Sequence, residues 1–171
     1  MTGRDSLGPA LEAIADALHA DAICVSSLEQ ETDGIRTVAT CGVLQEREYF
    51  ALADYPATAA VIETGEAMQV IAGDESADAV ELAELRAKGH SSLLMVPILS
   101  EGRGIGLLEA FTHDQRPWSR LDLARARLFA YQFGLLLEKL DSGDPDRPSS
   151  SESPRARALR SVARIGSWTS Q

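Results

Sequence analysis

The chain has 171 residues, of which 44% are apolar and 25% charged, the make-up of one globular domain that buries about two thirds of its surface without a metal or disulfide staple. Its longest apolar stretches, residues 93–99 and 135–137, fall far short of the roughly 20 residues that a membrane-spanning helix needs. No basic segment followed by an apolar block opens the chain, so a cytoplasmic protein is expected, and a net charge of −10 repels phosphate backbones and argues against nucleic acid as the main partner.

Ser6 is a candidate N-cap and Pro9 suits a first turn, and Leu7, Leu11, Ile14, Ala15 and Leu18 then recur at helical spacing, which predicts a helix over residues 7–20 with one apolar face. Residues 21–28 and 35–42 are β-prone runs on either side of Glu31-Thr32-Asp33-Gly34, and the Asp-Gly pair predicts an antiparallel hairpin. Residues 45–60 are richer in helix formers and are interrupted at Pro56. Residues 57–64 read as a short helix that Gly65 ends, and 67–71 as a short strand.

After the polar loop 73–76, residues 77–88 read as an amphipathic helix with Val80, Leu82 and Leu85 as its apolar positions and Gly89 at its end. Residues 91–99 and 104–111 are nearly continuous apolar runs joined by a four-residue turn. Strands of that kind must be covered on both faces. Ser119 and Asp122 make a capping-box-like start for a long helix to about residue 140, apolar at Leu121, Leu128, Leu135 and Leu136 and aromatic at Phe129, Tyr131 and Phe133. That is more apolar surface than one core-facing stripe requires.

The expected organisation is therefore a folded domain over 1–140, a polar linker over 141–156, and a short basic tail over 157–171 with Leu159, Val162 and Ile165 on one side of a potential helix. Residues 141–171 hold five arginines against four acids, which leaves the acidic excess in the body of the chain. A solvated tail is the simpler reading of those arginines, and contact with an acidic surface or nucleic acid the other. The element order describes an α+β architecture, an antiparallel sheet with helices on both faces.

Several segments look familiar in this order. Ala20-Asp21-Ala22 entering the first strand, Ala39-Thr40-Cys41-Gly42 closing the second, the run from Ser91 to Ile98, the run from Gly104 to Glu109, and Arg116-Pro117-Trp118-Ser119 before the last helix together resemble the GAF domain family over residues 7–140. The resemblance implies five to six antiparallel strands, terminal helices on one face, short helices over a pocket on the other, and dimerisation through the terminal helices. It also implies a regulatory, non-catalytic domain that binds a small-molecule ligand, passes a signal to an output domain or partner protein, or does both. The segment from Leu159 to Trp168 resembles the entry to a PAS domain.

Within the family, cyclic-nucleotide binders use an Asn-Lys pair, and this chain contains no Asn. Bilin binders attach the chromophore through a cysteine later in the domain, and the free methionine sulfoxide reductases depend on cysteines around the pocket. Here residues 42–171 contain no cysteine, so neither chemistry has its nucleophile. No ligand or cofactor is named by the sequence.

Cys24 and Cys41 are equidistant from a turn centred between Thr32 and Asp33 and are expected to face one another. They are either small packed residues or a reversible redox pair. His19, His90 and His113 show no metal spacing, although His90 stands where it either faces a pocket or serves as a single axial ligand to haem. Glu109 sits inside an apolar strand and faces either solvent and a helix end or a wet pocket.

The family resemblance places the pocket at Tyr49, Phe50, Tyr55, Thr58, Met68, Ser92, Met95 and Glu109, each of them either ligand contact or plain core. No phosphate loop and no Ser-His-Asp arrangement is present. The other readings are a redox-responsive protein using the two cysteines and a purely structural dimerisation module with a self-filled pocket.

Overall fold

The computed structural model describes residues 7–42 and 49–142. In chain order the elements are α1 (Gly8–Leu18), β1 (Ala22–Glu29), β2 (Gly34–Cys41), β3 (Tyr49–Ala51), a 3-10 turn (Leu52–Asp54), α2 (Pro56–Thr64), β4 (Met68–Ile71), α3 (Ala79–Ala87), β5 (Ser92–Ser100), β6 (Arg103–Thr112) and α4 (Arg120–Ser142). The six strands form one sheet in the order β3-β2-β1-β6-β5-β4, antiparallel at every pairing. This is the expected α+β architecture. Met1–Leu137 form one compact unit, and of the second, Glu138–Gln171, only the helical residues as far as Ser142 are described. The tail and its PAS-like segment lie outside the described residues.

Alternation along the central strands sends successive side chains to opposite faces. Ile23, Val25, Leu94, Val96, Ile98, Leu108 and Ala110 pack on one face against Leu11, Ile14 and Leu18 of α1 and Ala126, Ala130, Phe133 and Leu137 of α4. On the other face Cys24, Ile35, Leu93, Met95, Leu107 and Phe111 pack against Ala57, Val61 and Ile62 of α2 and Leu85 of α3.

The helix ends follow local chemistry. Asp122 Oδ2 accepts the Ser119 N–H at 2.9 Å while Ser119 Oγ accepts the Asp122 N–H at 3.1 Å, so the capping box forms with aspartate in the glutamate position. Arg116 donates to the carbonyls of Leu18 and His19 at 3.1 and 3.3 Å, which ties the end of α1 to the start of α4. The α3 helix begins two residues later than its sequence pattern suggests, because Asp78 accepts the Val80 and Glu81 N–H groups and acts as its cap. Ser6, the expected cap of α1, is outside the described residues, and Leu7 in the cap position makes no side-chain cap bond.

The segment 45–60 differs from its helix-forming composition. Tyr49–Ala51 is an edge strand paired with Gly34–Arg36, and the Tyr49 hydroxyl donates to the Thr32 carbonyl at 3.0 Å. The Tyr49 ring lies so close over Gly34 that any side chain there would collide with it. A three-residue strand held by a partner fifteen residues away leaves no periodic signal of its own.

The β1–β2 register also departs from expectation. Ile23, not Cys24, pairs with Cys41, and Cys24 pairs with Thr40; an irregularity between Val25 and Ser26 shifts the ladder. A slip of one residue moves a side chain to the other face. Cys24 therefore belongs to the α2/α3 face and Cys41 to the α1/α4 face. Both thiols are free, and the expected facing pair is not assembled.

Candidate functional site

A cleft opens between the sheet and helices α2 and α3, lined by Ile35, Phe50, Tyr55, Thr58, Glu81, Glu84, Lys88 and Glu109. The α2/α3 face of β6 presents Leu107, Glu109 and Phe111 in alternation, so a carboxylate enters the apolar layer between two buried side chains. Facing it, α3 brings Glu81, Glu84 and Lys88, spaced three, four and seven residues apart, to a single side of the helix.

Hydrogen bonds fix the walls. Thr58 Oγ1 donates to Glu81 Oε1 at 2.6 Å and touches Met95 Sδ at 3.6 Å. The Tyr55 hydroxyl donates to Glu84 Oε1 at 3.2 Å, and Lys88 Nζ lies 4.0 Å from Glu84 Oε2. The rings of Phe50 and Tyr55 meet edge to face with centroids 5.5 Å apart. Lys88 Nζ stands over the Phe111 and Phe50 rings at 5.1 and 5.8 Å, within cation–π range.

Burial governs the protonation of these groups. It pushes the Glu109 carboxyl up to about 7, with Lys88 opposing the rise and Glu81 and Glu84 adding to it. Burial likewise raises Glu81, against the Thr58 hydrogen bond and Lys88. The Cys24 thiol, across the strand pair from Glu109, is pushed up to about 12 by burial and then by the Glu109 charge. A thiol held there carries almost no thiolate at neutral pH, which removes Cys24 as a ready nucleophile.

Phe50, Tyr55, Thr58 and Glu109 thus meet in one cleft. Glu109 faces this polar cleft rather than bulk solvent. The other four pocket residues expected from sequence are not among the lining. Tyr49 and Met68 are exposed on edge strands. Met95 is buried beneath Thr58, and Ser92 is buried where its hydroxyl lies within donating distance of the Asp114 and Arg116 carbonyls, at 2.9 and 2.8 Å.

Sequence reasoning missed Ile35, Glu81, Glu84 and Lys88. The signal was the charged triplet at helical spacing, hidden because Val80, which is exposed, looks the better core residue than Glu81, which is 4% exposed.

The histidines are brought together in part. His90 is buried against Phe111 and stacks on His113, with ring centroids 4.6 Å apart and planes 12° apart. Burial and then His113 lower the His90 pKa. Face-to-face rings do not direct their nitrogens at a common point, so the pair is not a chelate. His90 is not among the cleft residues. Among the described residues no group of three or more His, Cys, Asp or Glu is arranged to hold a metal ion, and no helix is long and apolar enough to cross a membrane.

Comparison with curated proteins finds no match. Solved structures share the fold. The phycocyanobilin-bound GAF domain of a cyanobacterial phytochrome aligns with TM-score 0.68 and 15% identity over 80% of this chain and 84% of its own. The GAF domain of a two-component sensor histidine kinase from Bacillus halodurans gives 0.67 and 17% over 82% and 96%. A type II free methionine-R-sulfoxide reductase from Thermoplasma acidophilum gives 0.63 and 19% over 80% and 92%.

At these identities the likeness establishes the fold alone, and the three proteins do different things with it. The sequence model of the GAF domain matches residues 4–137, nearly the whole of the sheet and the helices that cover it. The chain belongs to the GAF domain family.

Proposed function

We propose that this GAF domain is a non-catalytic regulatory module that self-associates through the outer face of α4 and holds its sensory site in the cleft beneath α2 and α3. The observation that carries the reading is the apolar stripe on α4. Leu121, Leu128, Tyr131 and Leu135 are 57%, 58%, 63% and 46% exposed, although Ala126, Ala130, Phe133 and Leu137 of the same helix are buried against the sheet. Leu121, Leu128 and Leu135 recur every seven residues with Tyr131 between the last two, the spacing of a helix–helix seam.

A second copy of the same helix is the self-complementary partner for such a stripe. Leu11, Ile14 and Leu18 of α1 are buried against the sheet, so the exposed leucines of α4 supply the larger apolar share of the seam through the terminal helices. From there a signal passes to an output domain or partner protein. Two free thiols suit a reducing cytoplasm.

Light scattering on the full chain at tens of micromolar should give a dimer. Leu128→Glu, an exposed substitution, should weaken association at least tenfold, about 1.4 kcal/mol, and leave the fold intact by circular dichroism. A monomeric wild type would sink the proposal. A dimer that never takes up a ligand supports instead the purely structural module, a reading favoured by the small cavity volume of the cleft, about 20 Å³.

A further inference from the structure

The C-terminal end of α3 is closed by a residue that titrates. Gly89, at φ +74°, turns the chain, and the N–H groups of Gly89 and His90 return to the Arg86 and Leu85 carbonyls, both at 3.0 Å. In a Schellman closure of this kind the residue after the glycine is commonly apolar and packs back on the last turn. Here it is His90, 3% exposed, with its ring 5.3 Å from that of Phe111 between centroids.

The seat suits a neutral imidazole. His90 Nδ1 is buried and has no hydrogen-bond partner among the described residues. An imidazolium carries N–H on both nitrogens, so protonation would leave a buried charged donor without an acceptor. The charged and titratable groups that face His90 are Lys88 at the end of α3, His113 after β6 and Asp21 before β1. Burial and then His113 hold its pKa below the ordinary 6.5, Asp21 opposes them, and Lys88 adds to the lowering.

His113 holds the same turn from outside. Its ring stacks on His90 with centroids 4.6 Å apart, and its Nδ1 lies 2.9 Å from the Gly89 carbonyl, which only accepts, so Nδ1 carries the hydrogen. The His113 backbone N–H donates to Asp21 Oδ2 at 2.7 Å. One stack therefore joins the end of α3 to the end of β6 and the start of β1. Within α3 itself Glu81 and Leu85 are the buried residues, so its last turn is lightly anchored and opens at less cost than the sheet.

We propose that the stacked His90–His113 pair is a proton-operated clasp: a proton taken from solvent by His90 expels its ring from the stack and releases the last turn of α3, residues 86–90, from the sheet. The signal read at this place is acidity. The inference goes beyond the reading above and needs neither the α4 seam nor a ligand in the cleft.

The sign follows from burial. The open turn accepts a proton as an exposed histidine does, near 6.5, and the closed turn does so only at lower pH. Closure is complete above that value and weakens as pH falls through it. Glu109 acts in the opposite direction, since its raised pKa makes acid stabilise the fold. A variant that cannot titrate at position 90 separates the two.

The test is amide exchange by nuclear magnetic resonance on the full chain at pH 7.5 and 5.5 and points between, corrected for the intrinsic pH dependence of exchange. The expected result in wild type is a loss of protection of about tenfold at Lys88, Gly89 and His90, the change for one proton that only the open turn accepts. Protection in β5 and β6 should not fall. His90→Phe keeps a ring on Phe111 and His113 and cannot titrate, so it should lose the acid-induced opening.

Protection at the three amides that stays constant or rises on acidification overturns the proposal. An equal loss in His90→Phe also overturns it, because another group then takes the proton, as does a loss spread evenly over β5 and β6, because the whole domain then opens. Should His90→Phe fail to fold, His90→Leu takes its place. Should neither fold, the wild-type profile decides: a fall confined to the turn and beginning near pH 6.5 supports the clasp, and a fall that begins only in the carboxylate range overturns it.

Discussion

Glu109 shows how one residue can be legible in kind and hidden in consequence. A lone carboxylate in an apolar strand marks an unusual site in the sequence, but its neighbours Glu81, Glu84 and Lys88 come from a helix one of whose three apolar positions by sequence, Val80, is exposed. The free energy of that arrangement is measurable. In the folded protein the Glu109 carboxyl is raised from 4.5 to about 7, so between those values the folded state holds a proton that the unfolded chain has released. The stabilisation is complete below about pH 4.5 and is lost as pH rises through 7.

Glu109→Gln keeps the shape and removes the titration. It should be more stable than wild type at pH 8 by about 1–3 kcal/mol and nearly equal at pH 4.5, as read from urea unfolding at the two pH values. Parallel pH dependence in the two proteins would show that Glu109 is not the titrating group. The expected facing of Cys24 and Cys41 failed for a different reason. A ladder irregularity between Val25 and Ser26 carries no composition signature, and a one-residue error in register reverses a face.

At the scale of elements, what the sequence revealed and what it hid divide along the range of the forces. Strands β1, β2, β5 and β6 and helices α1, α2 and α4 follow from alternation, helical spacing and caps, all of them local. Strand β3 does not, because its three residues are ordered by pairing with Gly34–Arg36 and by the Tyr49 hydroxyl on the Thr32 carbonyl. Gly34 is the matching half of that contact, since it leaves room for the ring. Gly34→Ala should therefore expel Tyr49 and release the edge strand at a cost of about 1–3 kcal/mol. Faster amide exchange at Tyr49, Phe50 and Ala51, with exchange in β5 and β6 unchanged, is the expected signature; uniform destabilisation without local opening would contradict it.

At the scale of the molecule, one helix has two apolar faces, one buried against the sheet and one exposed. The inner face of α4 was legible as core, and its exposed stripe as an excess of apolar residues; only the structure separated them, since Leu121, Leu128, Tyr131 and Leu135 interleave in sequence with the buried set. Self-association should make the melting temperature of the wild type rise with protein concentration, because a partner that binds only the folded chain stabilises it by mass action. In Leu128→Glu that dependence should flatten. A wild-type melting temperature independent of concentration across a hundredfold range would speak against the α4 seam.

The register of the first hairpin leaves the two thiols in unequal surroundings. Cys24 is 7% exposed and titrates at about 12, while Cys41, at the end of β2, is partly exposed on the opposite face. The native chain is in effect a single-cysteine protein for alkylating reagents. A maleimide-linked spin label or fluorophore at pH 8 should load once per chain, at Cys41, and reach Cys24 only after denaturation. Distances between labels in an assembled pair, or from a label to the cleft, are then accessible without engineering the sequence, and a second fast-reacting thiol would reveal that the sheet opens near Cys24.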